Sequence, residues 1–264
     1  MLKAGAFLVC LAAVAALIGP GLTPFDPASQ ELALRLAPPS WGHPFGLDEL
    51  GRDILARVLA GARISFFVGL TVVSVSAVVG TVLGAVAGYF GGVLDEVISR
   101  IVDTLLAFPG LLLAIALVAV LGPSLVNVLV ALTIIGWVGY ARLVRGQVLR
   151  AREFEYVQAA RALGAGTPRI LWRHVVPSAI PALVVQATLG MAGAIIGEAS
   201  LSFLGLGVQP PAPSWGTMLT GGRAHILDAP HVTIFPGLAI ALLVLGFNFL
   251  GDGLRDRIDP RKTR

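Results

Sequence analysis

The chain has 264 residues, of which 56% are hydrophobic and only 13% charged, and its mean hydropathy is +0.86. A soluble domain carries about 25% charged residues, so this balance excludes a disordered chain and a disulfide scaffold and argues against a soluble enzyme. An integral membrane protein is the expectation, and the formal charge of +4 asks where the arginines lie relative to the bilayer rather than whether nucleic acid is bound.

The two lysines, Lys3 and Lys262, stand near the two ends. A Walker A loop needs a lysine after its glycines to reach the nucleotide phosphates. With no internal lysine, this chain is expected to carry no ATP site of that kind. The single cysteine, Cys10, lies in an apolar run and reads as a small buried hydrophobe.

Crossing about 30 Å of hydrocarbon takes about 20 apolar residues in a helix. In chain order, the first such stretch is 4–19. It reads as a membrane helix or as a secretory signal, and either leaves residue 25 outside. Residues 20–64 then form an outer segment holding Arg35, Arg52, Arg57 and Arg63. Within it, 50–63 is amphipathic, with Leu50, Ile54, Val58 and Leu59 on one face, and reads as an outer-interface helix. The second span is placed at 66–88.

Residues 104–141 carry no charge over 38 positions, too long for one crossing at ~57 Å. Leu121-Gly122-Pro123-Ser124 reads as a turn in its middle. The third and fourth spans are therefore placed at 101–121 and 125–141. The fifth lies at 179–199 and the sixth at 232–251. The stretch between them, from Gly205 to Gly216, holds Gln209-Pro210-Pro211-Ala212-Pro213 and cannot be a continuous helix. It is read as a loop at or outside the interface.

With the N-terminus inside, 14 of the 19 basic residues fall in inner segments and 5 in outer ones, as the positive-inside rule favours. The only sizeable inner polar stretch is 142–178. Good helix formers run from Glu153 to Leu163, and Gly164 and Gly166 supply a stop. Ala159 and Ala160 give this helix a thin face that permits close approach by a partner. The alternative is a helix lying on anionic headgroups through its arginines.

At this loop the sequence resembles a known family. Gln158-Ala159-Ala160, then Gly164 and Pro177, looks like the EAA loop of ABC importer permeases, with Gln158 in place of the usual Glu. Four further stretches narrow the resemblance: Gly46-Leu47-Asp48-Glu49-Leu50-Gly51-Arg52-Asp53, Asp103 to Pro109, Glu198 to Gly216, and Gly251 to Asp256 with Asp259-Pro260-Arg261. Together they are similar to the C-type permease subunit of dipeptide, oligopeptide and nickel importers.

The resemblance implies an all-α membrane protein of six transmembrane helices. Residues 1–62 would form an N-terminal helix and extracytoplasmic loop, 63–252 a five-helix type I permease core, and 253–264 a basic cytoplasmic tail. It implies a homologous B-type permease partner, two ATP-binding-cassette domains and an extracytoplasmic solute-binding protein. ATP and Mg would be held by the ATPase partners, with no cofactor in this chain. The location would be the inner membrane of a prokaryote, with both termini cytoplasmic.

Glu155, Tyr156, Gln158, Ala159, Ala160, Arg161, Gly164 and Pro177 would form the ATPase-coupling loop. The 50–63 stretch would be a surface anchor or part of the docking surface for the binding protein. Glu198, with Ser202 one turn on, faces the pathway or gate, or is an interfacial carboxylate bonded to nearby backbone amides. Arg100 and Asp103 are spaced to pair. The scattered histidines His43, His174, His225 and His231 offer no metal site. A proton-driven transporter would normally need inverted repeats and paired midplane ionisable groups, and neither is seen.

Overall fold

The computed structural model describes residues 1–258, which form ten α-helices with no β-sheet among them. Helix α1 (Leu2–Leu22) lies along α10 (His231–Ile258). Glycines let the two backbones touch: a side chain at Gly5 would strike the backbone at Leu250, and one at Gly253 would strike Leu2. This packing favours the membrane-helix reading of 4–19 over the signal reading. Cys10 lies on the exposed side of α1 and not in the core as expected, because an all-apolar helix gives no sequence clue to its packed face. Pro20 has no N–H for the carbonyl of Ala16. The Nε of Arg63 donates to that carbonyl at 2.7 Å, and its Nη2 to Leu17 O at 2.9 Å.

Helix α2 (Ile54–Phe90) is unbroken over 37 residues, about 55 Å, so it reaches beyond the hydrocarbon. Asp53 caps it, accepting from Ala56 N at 2.7 Å. The amphipathic 50–63 stretch is thus no separate interfacial helix; from Ile54 on it is the first turns of α2. Helix α2 lies along α5 (Leu125–Ala151). Side chains at Gly80 and Gly84 would meet the α5 backbone at Trp137 and Ala141, so this small-residue row sets the close approach.

The third span differs from expectation. In place of one helix over 101–121 there are two, α3 (Gly92–Leu106) and α4 (Gly110–Leu121), bent by 89° at Ala107-Phe108-Pro109. Pro109 lacks an N–H, its ring clashes with the preceding turn, and it pushes Phe108 out of the helical region. Helix α4, with 12 residues, spans only about 18 Å. Helix α3 is amphipathic and tied to the C-terminal part of α5: Arg145 Nη2 donates to Asp95 Oδ2 at 2.7 Å and Arg142 Nη2 to Asp103 Oδ1 at 2.8 Å. The expected Arg100–Asp103 pair is absent. Arg100 instead takes Glu96, one turn back on α3, at 2.8 Å, while Arg142 of α5 takes Asp103.

Beyond α5 come α6 (Glu155–Ala162) and α7 (Thr167–Ile170). A π-turn (Leu171–Val175) and a 3-10 turn (Val176–Ala179) then lead into α8 (Ile180–Phe203). The short α9 (Trp215–Gly222) precedes α10. Pro177 and Pro181 remove two helical donors about one turn apart, which accounts for the irregular entry to α8. Five helices are long and apolar enough to cross a membrane, six if the bent α3–α4 pair counts as one. Helices α2, α5, α8 and α10 enclose the main core around Val68, Val72, Tyr140, Ile195 and Phe247. The 62/63 division falls inside α2. Helix α10 runs on to Ile258, so the start of the 253–264 tail is helical, while the Asp259-Pro260-Arg261 stretch lies outside the described residues.

Candidate functional site

The 142–178 segment holds a small helix, α6, most of whose residues are exposed. Val157 is fully buried and anchors α6 in an apolar cluster with Ala85, Val144, Val148, Ile170 and Val175. Tyr156 Oη donates to His174 O at 3.2 Å, tying α6 to the turn before α8. Gln158 Nε2 donates to Glu153 O at 3.1 Å. A glutamate there could not make that bond, so the amide suits its own helix start. Glu155 sits in the first turn and Arg161 in the last, each at the end of the helix dipole that favours its charge.

The helix ends in a Schellman motif. Ala165 N donates to Ala160 O and Gly164 N to Arg161 O, both at 3.0 Å. This requires the left-handed conformation of Gly164, whose φ is +79°. Glu155, Tyr156, Gln158, Ala159, Arg161 and Gly164 are exposed, and Ala160 is half-buried. The structure thus brings seven of the eight expected coupling residues into one protrusion. Pro177 lies apart, in the 3-10 turn at the entry to α8. Sequence reasoning missed Leu163, which is 89% exposed at the tip. Its place just before Gly164, at the end of the helix, was the available signal for that exposure.

A second feature is a groove of about 350 Å³ between α2, α4, α5 and α8. Glycines and apolar side chains line most of it, with Ser76, Tyr140, Gln186 and Ser200 as its polar side chains. None of these stood out in the sequence, because serine and glutamine in an apolar helix are common interhelical bonds.

Glu198 and Ser202 do not line this groove. Both are fully buried where α8 meets the loop before α9. Ser202 Oγ donates to Glu198 Oε1 at 2.6 Å and accepts from Val208 N at 3.2 Å. Ser214, which caps α9 through Thr217, is the other polar neighbour of Glu198. Among the described residues, the one hydrogen-bond partner of this carboxylate is thus the Ser202 hydroxyl on Oε1, Oε2 is buried without one, and the backbone amides expected of an interfacial group are not its partners.

The 46–53 stretch folds into a buried ion cluster. Asp48 accepts from Leu50 N, from Arg52 N and, at 2.7 Å, from Arg52 Nε, with Arg57 Nε at 3.4 Å. Asp48 thus balances both Arg52 and Arg57. His43 Nδ1 lies 2.8 Å from Asp53 Oδ2, and His231 Nε2 lies 3.3 Å from Leu47 O. Both histidines serve this fold.

Residues 80–264 match the family of binding-protein-dependent transport system inner membrane components. The chain belongs to this family. It is 52% identical over 223 residues to the glutathione transport system permease protein GsiD of Escherichia coli strain 536, covering 84% of this chain and 74% of that one. It is 47% identical over 246 residues to the dipeptide transport system permease protein DppC of Alkalihalophilus pseudofirmus, covering 93% and 81%. Among solved structures, an inward-facing MetNI methionine ABC transporter chain superposes with a TM-score of 0.58 at 22% identity, over 76% of this chain and 94% of that one. That likeness establishes the fold, a type I importer permease with an added N-terminal helix. The chain is a multi-pass inner-membrane permease subunit of an ABC importer and not the ATPase subunit, and the family works with ATPase, binding-protein and permease partners.

Proposed function

We propose that this chain forms half of the pathway of an ATP-driven importer of dipeptides, oligopeptides or related short peptides, paired with a homologous B-type permease. The observation that carries the reading is the inner protrusion. Val157 and the Schellman stop hold Ala159 and Leu163 out in water in a fixed geometry, as a docking element requires. ATP and Mg are held by two ATPase domains that close on this loop, and the chain itself hydrolyses nothing. An extracytoplasmic binding protein delivers cargo to the face built by the 46–53 cluster and α9. Both termini are cytoplasmic, which puts the basic 142–178 segment on the ATPase side.

The similarity to glutathione and dipeptide permeases over most of the chain supports a peptide cargo over a nickel chelate. The test is crosslinking in the assembled complex, with exposed Cys10 first replaced by serine and Gln158 replaced by cysteine. A crosslink to the ATPase, together with ATP-dependent uptake of a dipeptide into proteoliposomes carrying the binding protein, is the expected result. Uptake without any crosslink removes the docking role, and a crosslink without peptide uptake removes the peptide cargo.

A further inference from the structure

The groove between α2, α4, α5 and α8 carries no charged side chain, yet its polar groups are short of partners. Ser76 is 1% exposed, and its Oγ makes no hydrogen bond. Serines in apolar helices usually bond the carbonyl one turn back; Ser76 does not. Tyr140 is 3% exposed, and its hydroxyl reaches only Gln186 O, at 3.5 Å, the outer limit of a hydrogen bond. No hydrogen bond of the Gln186 carboxamide or the Ser200 hydroxyl is found among the described residues. Four under-satisfied groups in one apolar groove are costly in hydrocarbon.

Glycines make room for these groups. A side chain at Gly136 would collide with Ser76 Oγ, and one at Gly190 with the Tyr140 hydroxyl. The packing therefore keeps both oxygens at the groove when a larger residue would have displaced them. Unpaired donors and acceptors facing a groove need a polar occupant, and without a nearby charge they suit a neutral one. An amide, which donates and accepts at once, matches a carboxamide beside hydroxyls.

We propose that Gln186 and Ser200, backed by the buried hydroxyls of Ser76 and Tyr140, form a charge-free hydrogen-bonding track on this chain's face of the pathway, in which Gln186 and Ser200 contact the backbone amides of a passing peptide without selecting its side-chain charge. The inference rests on the peptide-importer reading. It makes Gln186 the position at which charge selectivity is controlled: a charge placed there lies in a low-dielectric groove and acts directly on charged cargo.

The test uses the full complex in proteoliposomes and compares uptake of a lysine-containing, a glutamate-containing and an uncharged tripeptide. Wild type should take up all three at comparable maximal rates once the binding protein is saturated. Gln186→Glu should lower the ratio of acidic to basic peptide uptake about fivefold to tenfold, and Gln186→Lys should raise it by a similar factor. As a second measurement, Gln186→Cys in a Cys10→Ser background should react with a membrane-impermeant thiol reagent, and cargo transit should slow that reaction. Charge variants that depress the acidic and basic peptides equally overturn the track, as does a Gln186→Cys thiol that the reagent never reaches because the partner permease covers it. Absence of peptide uptake by the wild-type complex overturns the importer reading itself, and with it this inference.

Discussion

Replacing Gly164 by valine tests whether the shape of the inner protrusion, and not merely its presence, engages the ATPase. Gly164 has φ +79° and nothing within 4 Å of where a Cβ would stand. Overpacking is therefore not the issue. The cost is the left-handed backbone, about 1–2 kcal/mol for a residue with a Cβ and more for a β-branched one. If the loop relaxes, the Ala165–Ala160 and Gly164–Arg161 bonds at 3.0 Å are lost and Leu163 is re-aimed. At about 1.4 kcal/mol per factor of ten, the docking-competent loop falls roughly fivefold to thirtyfold in population, and the dissociation constant for the ATPase rises by that factor.

Asparagine visits the left-handed region readily, so Gly164→Asn should weaken binding by no more than about twofold. The assay is binding of the purified ATPase to the permease pair held in nanodiscs, with thermal unfolding as a control for insertion and folding. Wild-type affinity for Gly164→Val, or equal weakening by valine and asparagine, would refute the argument from backbone conformation.

Leu163→Asp should leave the thermal midpoint of the permease pair close to wild type, since a side chain this exposed contributes within about 0.5 kcal/mol. It should nonetheless abolish stimulation of ATP hydrolysis by the loaded binding protein. Arg63→Ala uncovers the carbonyls of Ala16 and Leu17 and should cost about 1–2 kcal/mol at this partly exposed site, read as a lower unfolding midpoint and faster thiol labelling at Cys10 as α1 loosens from the bundle. Glu198→Gln preserves an acceptor for Ser202 and should transport normally, whereas Glu198→Leu strands the buried Ser202 hydroxyl at a cost of about 1–3 kcal/mol and should lower the midpoint. Loss of transport by a stably folded Glu198→Gln variant would restore the gate role of that carboxylate.

Much of this protein is written in local pattern. Apolar runs located every long helix, because crossing hydrocarbon demands length and composition that no soluble element needs. The inner loop was legible for a different reason. Its stop is a glycine in the left-handed conformation, which glycine adopts without a side-chain penalty, and its alanines are small wherever the helix points. Where local signals competed, counting hydrophobic residues misled: Pro109 carried the information that 101–121 bends, but hydropathy is blind to a missing N–H.

What the tertiary structure alone decided concerns partners distant in sequence. Asp103 finds Arg142 on α5, Arg63 finds the carbonyls of Ala16 and Leu17 on α1, and Arg52 and Arg57 find Asp48. Spacing along one helix cannot rank such partners, since a charge binds whichever opposite group packing brings nearest. The same holds for Glu198, whose position in α8 was plain while the loop that buries it was not. The groove is the extreme case. Ser76 becomes distinctive only when Gly136, far along the chain, leaves room for it, and the Tyr140 hydroxyl only when Gly190 does, because an unsatisfied polar group is a property of its surroundings and not of its residue type.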